Sequence, residues 1–168
     1  MDEDCFSKKL SRIASKTSGG VPSNVIGKID SAIDKALSEV REDINLLDCY
    51  SDDMSKLHSK IVEQNGKDAL ENKAAYQVMF FTSTLNFSAT ISDIMTLFLQ
   101  RVKEHLRPFP HVFKQLLGGV QTKLIDALSE SIQSYLKEIR KVAKIIGLQG
   151  YGFSLGIPPV SITFSFAV

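Results

Sequence analysis

Few side chains in this chain could carry out chemistry. The histidines are His58, His105 and His111, and the cysteines are Cys5 and Cys49. His58 stands at helical spacing from Met54 and Ile61, which places it on the flank of a packed face. His105 and His111 bracket Leu106-Arg107-Pro108-Phe109-Pro110, with Glu104 the one carboxylate close by in sequence. A metal or acid–base centre needs more donors than that. Neither cysteine belongs to a CxxC pair, so thiol catalysis and metal binding lack local support; in an oxidising compartment Cys5 and Cys49 are candidates for one disulfide. Asp52-Asp53 suits a helix N-terminus better than paired-carboxylate catalysis. Gly118-Gly119 is not followed by Lys-Ser/Thr, and HExxH does not occur. Asn86-Phe87-Ser88 fits the glycosylation sequon but lies in the most apolar stretch. The expectation is a protein that is not an enzyme, with no catalytic residues, metal or cofactor.

The remaining candidates are binding residues. Lys137, Arg140, Lys141 and Lys144 crowd one short run that could meet phosphates or lipid head groups. With 20 basic and 19 acidic side chains the net charge is +1, so no global field draws the chain to nucleic acid. Phe80, Phe81, Phe87, Phe98, Phe153, Phe164 and Phe166 are the candidate lining of an apolar ligand site.

The element that must position these residues runs from about 68 to 106. No charge occurs between Lys73 and Asp93, in a chain that is 23% charged. Val78, Phe81, Leu85 and Ala89 form one helical row, and Phe80, Phe87, Ile91, Ile94 and Phe98 another. A helix apolar on more than one side is expected to be buried. Leu85 to Ser92 also alternates with strand period, but helical periodicity on both flanks favours one continuous helix. Its Ser, Thr, Asn and Gln content is too high for an ordinary membrane span.

The other elements follow from spacing and punctuation. Helices are expected at about 3–16, 23–49, 52–65 and 111–147. Ile26, Ile29, Ile33, Leu37, Val40, Ile44 and Leu47 mark the second, with Met54, Leu57, Ile61 and Val62 on the third. Ser51-Asp52-Asp53 is the expected cap of that third helix. Val120, Leu124, Leu128, Ile132, Tyr135, Ile139, Val142 and Ile146 form the seam of the last, which Gly118-Gly119 could divide. After Lys144 no charge follows. The residues then alternate apolar with small over about 151–157 and 160–167, on either side of Pro158-Pro159, which predicts two strands.

The expected fold is mainly α: one domain over 1–168, an antiparallel bundle of four or five helices around the central apolar helix, with a C-terminal two-stranded β segment. The expected function is binding of an apolar small molecule or protein partner between the central helix and the C-terminal strands. Two alternatives stand beside it. One is a membrane-active protein that inserts into lipid or forms a pore; the other is a self-assembling homo-oligomer joined through the strands. No signal peptide is visible, and Met1-Asp2-Glu3-Asp4 is acidic. The large apolar stretch and two cysteines favour a mature secreted protein with a start Met over a cytoplasmic one.

Overall fold

The computed structural model describes residues 23–64, 71–148, 150–157 and 160–167, with side chains described for 27–64, 71–109 and 119–148. The helix expected at 3–16 lies outside them. The fold is mainly helical. Its helices are α1 (Ser23–Glu39), α2 (Arg41–Leu46), α3 (Asp48–Glu63), α4 (Lys73–His105) and α5 (Pro110–Ile145). Strands β1 (Gly150–Ile157) and β2 (Val160–Ala167) follow and pair antiparallel. The chain divides into two compact units: Met1–Arg41 with Thr96–Asp126, and Glu42–Met95 with Ala127–Val168. The two long helices α4 and α5 contribute to both.

In the first unit α1 buries Ile29, Ile33 and Ala36, with Val40 just past its end, and α4 buries Phe98 and Val102, with Leu106 just past its end. Glu39 on α1 meets Arg101 and His105 on α4, while Asp30 on α1 meets Lys123 on α5 at 3.6 Å. Gln121 is buried with neither side-chain amide atom bonded. An arrangement of that kind costs about 1–3 kcal/mol.

In the second unit three helices meet through aromatic rings. Phe87 of α4 stacks on Tyr135 of α5 at 3.8 Å between centroids and meets Tyr50 of α3 edge to face at 5.7 Å. The Tyr50 hydroxyl pairs with Thr90 at 2.8 Å, and Ser131 of α5 donates to Asp48 of α3 at 2.9 Å. Tyr76 near the start of α4 bonds Gln64 just past α3. With Tyr50 beside Thr90 and Tyr76 beside Gln64, α3 and α4 run antiparallel. Every residue of the 120–146 seam on α5 is buried.

Several boundaries differ from expectation, for physical reasons. The seam over 23–49 is one line of apolar residues but not one helix: the chain turns at Val40 and again at Leu47, both fully buried. Backbone bonds from Leu47 to Ile44 and from Tyr50 to Leu47 carry it through the second turn. α3 therefore starts at Asp48, its cap residue is Leu47 without a side-chain bond, and Ser51 is buried inside the helix instead of capping it. Burial of Ile44 and Leu47 outweighs a capping preference of about 1 kcal/mol. Val62, expected on the buried face, is exposed. Gly118-Gly119 does not divide α5, whose backbone is helical throughout.

α4 is continuous through the stretch that also reads as strand. Thr84, Ser88, Thr90 and Ser92 each donate a hydroxyl to the carbonyl four residues earlier, at 2.9–3.0 Å. These hydroxyls are satisfied by the helix itself. The expectation that other elements cover the helix all round is corrected. Phe80, Phe87, Ile91, Ile94 and Phe98 are buried, whereas Val78 is 65% exposed, Phe81 46% and Leu85 70%. Absence of charge kept both rows apolar, but α3 and α5 occupy one side only.

α5 ends in a left-handed glycine cap. Gly147 has φ +70°, Leu148 N–H donates to Ala143 and Gly147 N–H to Lys144. This is the paired bonding of a Schellman motif. A Cβ at Gly147 would also meet the Lys73 ammonium at 3.1 Å. From this cap the chain enters β1. The register sets Tyr151 opposite Phe166, Phe153 opposite Phe164 and Leu155 opposite Ile162. Gly152, Ser154 and Gly156 fall opposite Ser165, Thr163 and Ser161. Apolar residues hold alternate rungs, and small or hydroxyl residues hold the others.

The two rows of α4 predict opposite responses to truncation. Phe87→Ala should destabilise by about 3–5 kcal/mol in urea denaturation, because it empties the stack. Leu85→Ala should change stability by no more than about 0.5 kcal/mol.

Candidate functional site

The surface of the second unit carries an apolar row and a groove. On α4, Val78, Phe81 and Leu85 recur at spacings of three and four, so they share one face. Ala89 continues the row and is exposed. Met79 is also 46% exposed, and with Thr82 it stands between this row and the groove that separates α4 from α3. The groove encloses about 370 Å³. Met54, Leu57 and Met79 give it an apolar bed, with Lys56 and Lys60 on the α3 wall. The α4 wall is uncharged: Thr82, Ser83 and Asn86.

The aromatic stack underlies this surface. Tyr135 is fully buried, with Ser83 and Thr84 hydroxyls at 3.3 and 3.4 Å from its own. Burial pushes the Tyr135 phenol above its ordinary value, against the two hydroxyl contacts, and nearby Tyr50 adds to the rise. The phenol is a structural donor, neutral at any ordinary pH.

The first unit holds a polar cluster. His105 Nε2 lies 3.0 Å from Glu39 Oε1, and Arg101 bridges Glu39 at 3.5 Å and Glu104 at 3.1 Å. Hydrogen bonds from Gln100 and then Arg101 hold the Glu104 carboxyl below its usual range. Both Glu39 oxygens are engaged, so the cluster ties α1 to α4. Among the described residues no three His, Cys, Asp or Glu side chains converge as a metal site. A shallow groove of about 500 Å³ adjoins His105, lined by Lys28, Lys35 and Phe109 among others.

Of the phenylalanines singled out in the sequence, Phe80 and Phe87 are buried in the second unit and Phe98 is buried in the first. They are packed as core side chains, and Phe80 touches Phe81 edge to face at 5.4 Å. Phe81 alone of these four reaches the surface. Phe153, Phe164 and Phe166 hold register positions in the ribbon; their side chains lie outside the described residues. Lys137, Arg140, Lys141 and Lys144 are all exposed on the last turns of α5, and Lys141 is held by Glu138 at 2.7 Å. Cys49 is exposed with a free thiol, and its candidate partner Cys5 lies outside the described residues, as does the His111 side chain. Asn86 of the sequon is exposed at the groove, with Phe87 turned into the core.

Sequence reading missed the groove, because its walls lie about a helical hairpin apart in the chain. The one available signal was Lys56 and Lys60 at i, i+4 beside Met54 and Leu57. Comparison with protein-family models, curated proteins and solved structures gave no match, so no homologue assigns a role to any of these residues.

The raised Tyr135 phenol makes stability depend on alkaline pH. The folded state holds this proton more tightly than the unfolded chain, so its contribution is complete below about pH 10 and falls as pH rises beyond. Urea denaturation of the wild type should show a steeper loss above pH 10 than Tyr135→Phe. The variant should itself be about 0.5–1.5 kcal/mol less stable at pH 7.

Proposed function

We propose that this chain is a non-enzymatic interaction protein that holds an apolar, lipid-like partner or ligand on the uncharged face of α4. The observation that carries this reading is the outward row Val78, Phe81 and Leu85, exposed at 65, 46 and 70% on a helix free of charge from 74 to 92. Single exposed apolar residues are ordinary; an aligned row without interspersed charge marks an interaction surface. Covering it gains about 25 cal/mol per Å². The root of the β ribbon supports a second wall. Gln77 of α4 approaches the Ile146 carbonyl at 3.5 Å, and Lys73 lies against Gly147, so the row begins where α5 gives way to β1. On this reading Phe81 belongs to the site, Phe80 and Phe87 only support it, and Phe153, Phe164 and Phe166 belong to the opposing ribbon.

The neutral dye Nile red tests the proposal. The full chain should bind it, and the Val78→Glu/Leu85→Glu variant should bind at least about tenfold more weakly while its stability in urea denaturation stays within about 0.5 kcal/mol of wild type. Equal binding by the two proteins would overturn the proposal.

The ribbon register favours a second reading, membrane activity. Each strand has 8 residues, just short of the about 9–11 of a tilted membrane-spanning strand. Alternate apolar and small polar rungs are the pattern of a barrel wall between lipid and water. The exposed Lys137, Arg140, Lys141 and Lys144 stand just before it, where anionic head groups would lie. Among the described residues no helix is long and apolar enough to cross a membrane, so insertion would fall to the strands. Among the described residues the two-stranded ribbon leaves both outer edges unpaired, so insertion requires several copies to close a barrel, which unites this reading with self-assembly. Vesicles containing anionic lipid should sediment with the full chain and not with a chain truncated after Leu148. Absence of sedimentation by the full chain would remove this reading.

A further inference from the structure

We infer that the groove between α3 and α4 binds a single-chain amphiphile with a carboxylate head group. The inference rests on the reading that the uncharged side of α4 holds lipid-like ligands, and it adds the chemical class.

Charge is confined to one wall of the groove. Asp53, Lys56 and Lys60 follow one another along α3 at spacings of three and four, so they face the same way. Among the described residues Asp53 is the one carboxylate lining the groove, and the Lys56 ammonium lies 3.6 Å from it. Lys60 has no ion-pair partner among the described residues, which leaves one unmatched positive charge. Because α3 and α4 run antiparallel, Lys60 lies towards the end where Met79 stands, and Tyr50 and Asn86 mark the other end.

The opposite wall belongs to the stretch 74–92 and bears no charge. Two hydroxyls that border the groove are already committed: Tyr50 to Thr90 at 2.8 Å, and Ser83 to Tyr135 at 3.3 Å. Met54 and Leu57 are buried beneath it and Met79 stands half out. Methionine suits this role because its unbranched thioether fits irregular apolar shapes. At about 370 Å³ the groove is within the range of small-molecule sites. A cation at one end, an apolar bed and a wall without charge match an anionic head and one alkyl tail. A neutral apolar compound would leave the lysine pair unused, and a polyanion would meet too few cations.

Methionine-methyl NMR on the full chain reads this site directly, because Met54 and Met79 line the groove while buried Met95 does not. Dodecanoate, added below its micelle concentration, should shift the Met54 and Met79 signals and leave Met95 in place. Lys56→Gln/Lys60→Gln should weaken dodecanoate about three- to tenfold and leave dodecanol unaffected, as expected for loss of two solvent-exposed charge contacts. Equal binding of dodecanoate and dodecanol, or dodecanoate binding unchanged in the double variant, would overturn the carboxylate assignment while sparing an apolar site on α4. Stationary Met54 and Met79 signals with both compounds would overturn the groove as a site altogether. Nile red binding to the outward row would then decide separately whether the broader reading survives.

Discussion

The contact on which the second unit depends is the stack of Phe87 on Tyr135, which Tyr50 joins edge to face. Over residues 74–92 α4 has no charged side chain, so no ion pair can fix how it sits against α3 and α5. Rings and hydroxyls set the register instead. Phe87 supplies a flat face, Tyr135 supplies a ring and a phenol, and Ser83, Thr84 and Thr90 receive the two tyrosine hydroxyls. A slip of one turn would part every one of these contacts at once and bury unpartnered hydroxyls, at about 1–3 kcal/mol each. With Phe87 fixed inward, helical geometry puts Val78 and Leu85 outward. The exposed row is thus a consequence of how the core is pinned.

The seams of α1 and α5 were legible because charge marks their wet sides: where Lys, Asp and Glu alternate with Ile and Leu, periodicity alone assigns the inside. α4 carries no such mark. Its two apolar rows could be read, but their order could not, since Phe81 and Phe80 differ by one position and not in chemistry. The start of α3 was misread for a related reason. Ser51-Asp52-Asp53 has the composition of a cap, while the feature that decides the boundary, burial of Ile44 and Leu47, depends on neighbours far along the chain. The groove was illegible altogether. Lys60 and Met79 lie on either side of a helix–helix connection, and only the antiparallel pairing of α3 with α4 makes them neighbours. The contact between Glu39 and His105, separated by most of α2, α3 and α4, is of the same kind.

The outer faces of the other helices show what α4 forgoes. α3 pairs Lys56 with Asp53, and α5 pairs Lys141 with Glu138, each a surface contact worth a few tenths of a kcal/mol. Over 84–92 α4 carries hydroxyls in place of charges, on buried Thr84 and half-buried Ser88, Thr90 and Ser92, and each bonds back to its own helix. The difference matters when the surface is covered. A lysine or aspartate must be stripped of water, or find a new partner, before an apolar surface can lie on it. A hydroxyl already bonded to a carbonyl of its own helix needs neither.

This makes the α4 face compatible with two environments. In water its exposed leucine, valine and phenylalanine are tolerated because the other side of the helix is firmly held. Against an apolar surface nothing on the face carries a desolvation penalty large enough to oppose contact. Lys56 and Lys60 set the limit of that region, since beyond them the α3 surface is charged and must stay wet or meet an anion. The boundary between the two runs along the groove, so a molecule that lies there with one charged end and one apolar end satisfies both walls, whereas a purely apolar or purely polar molecule satisfies one.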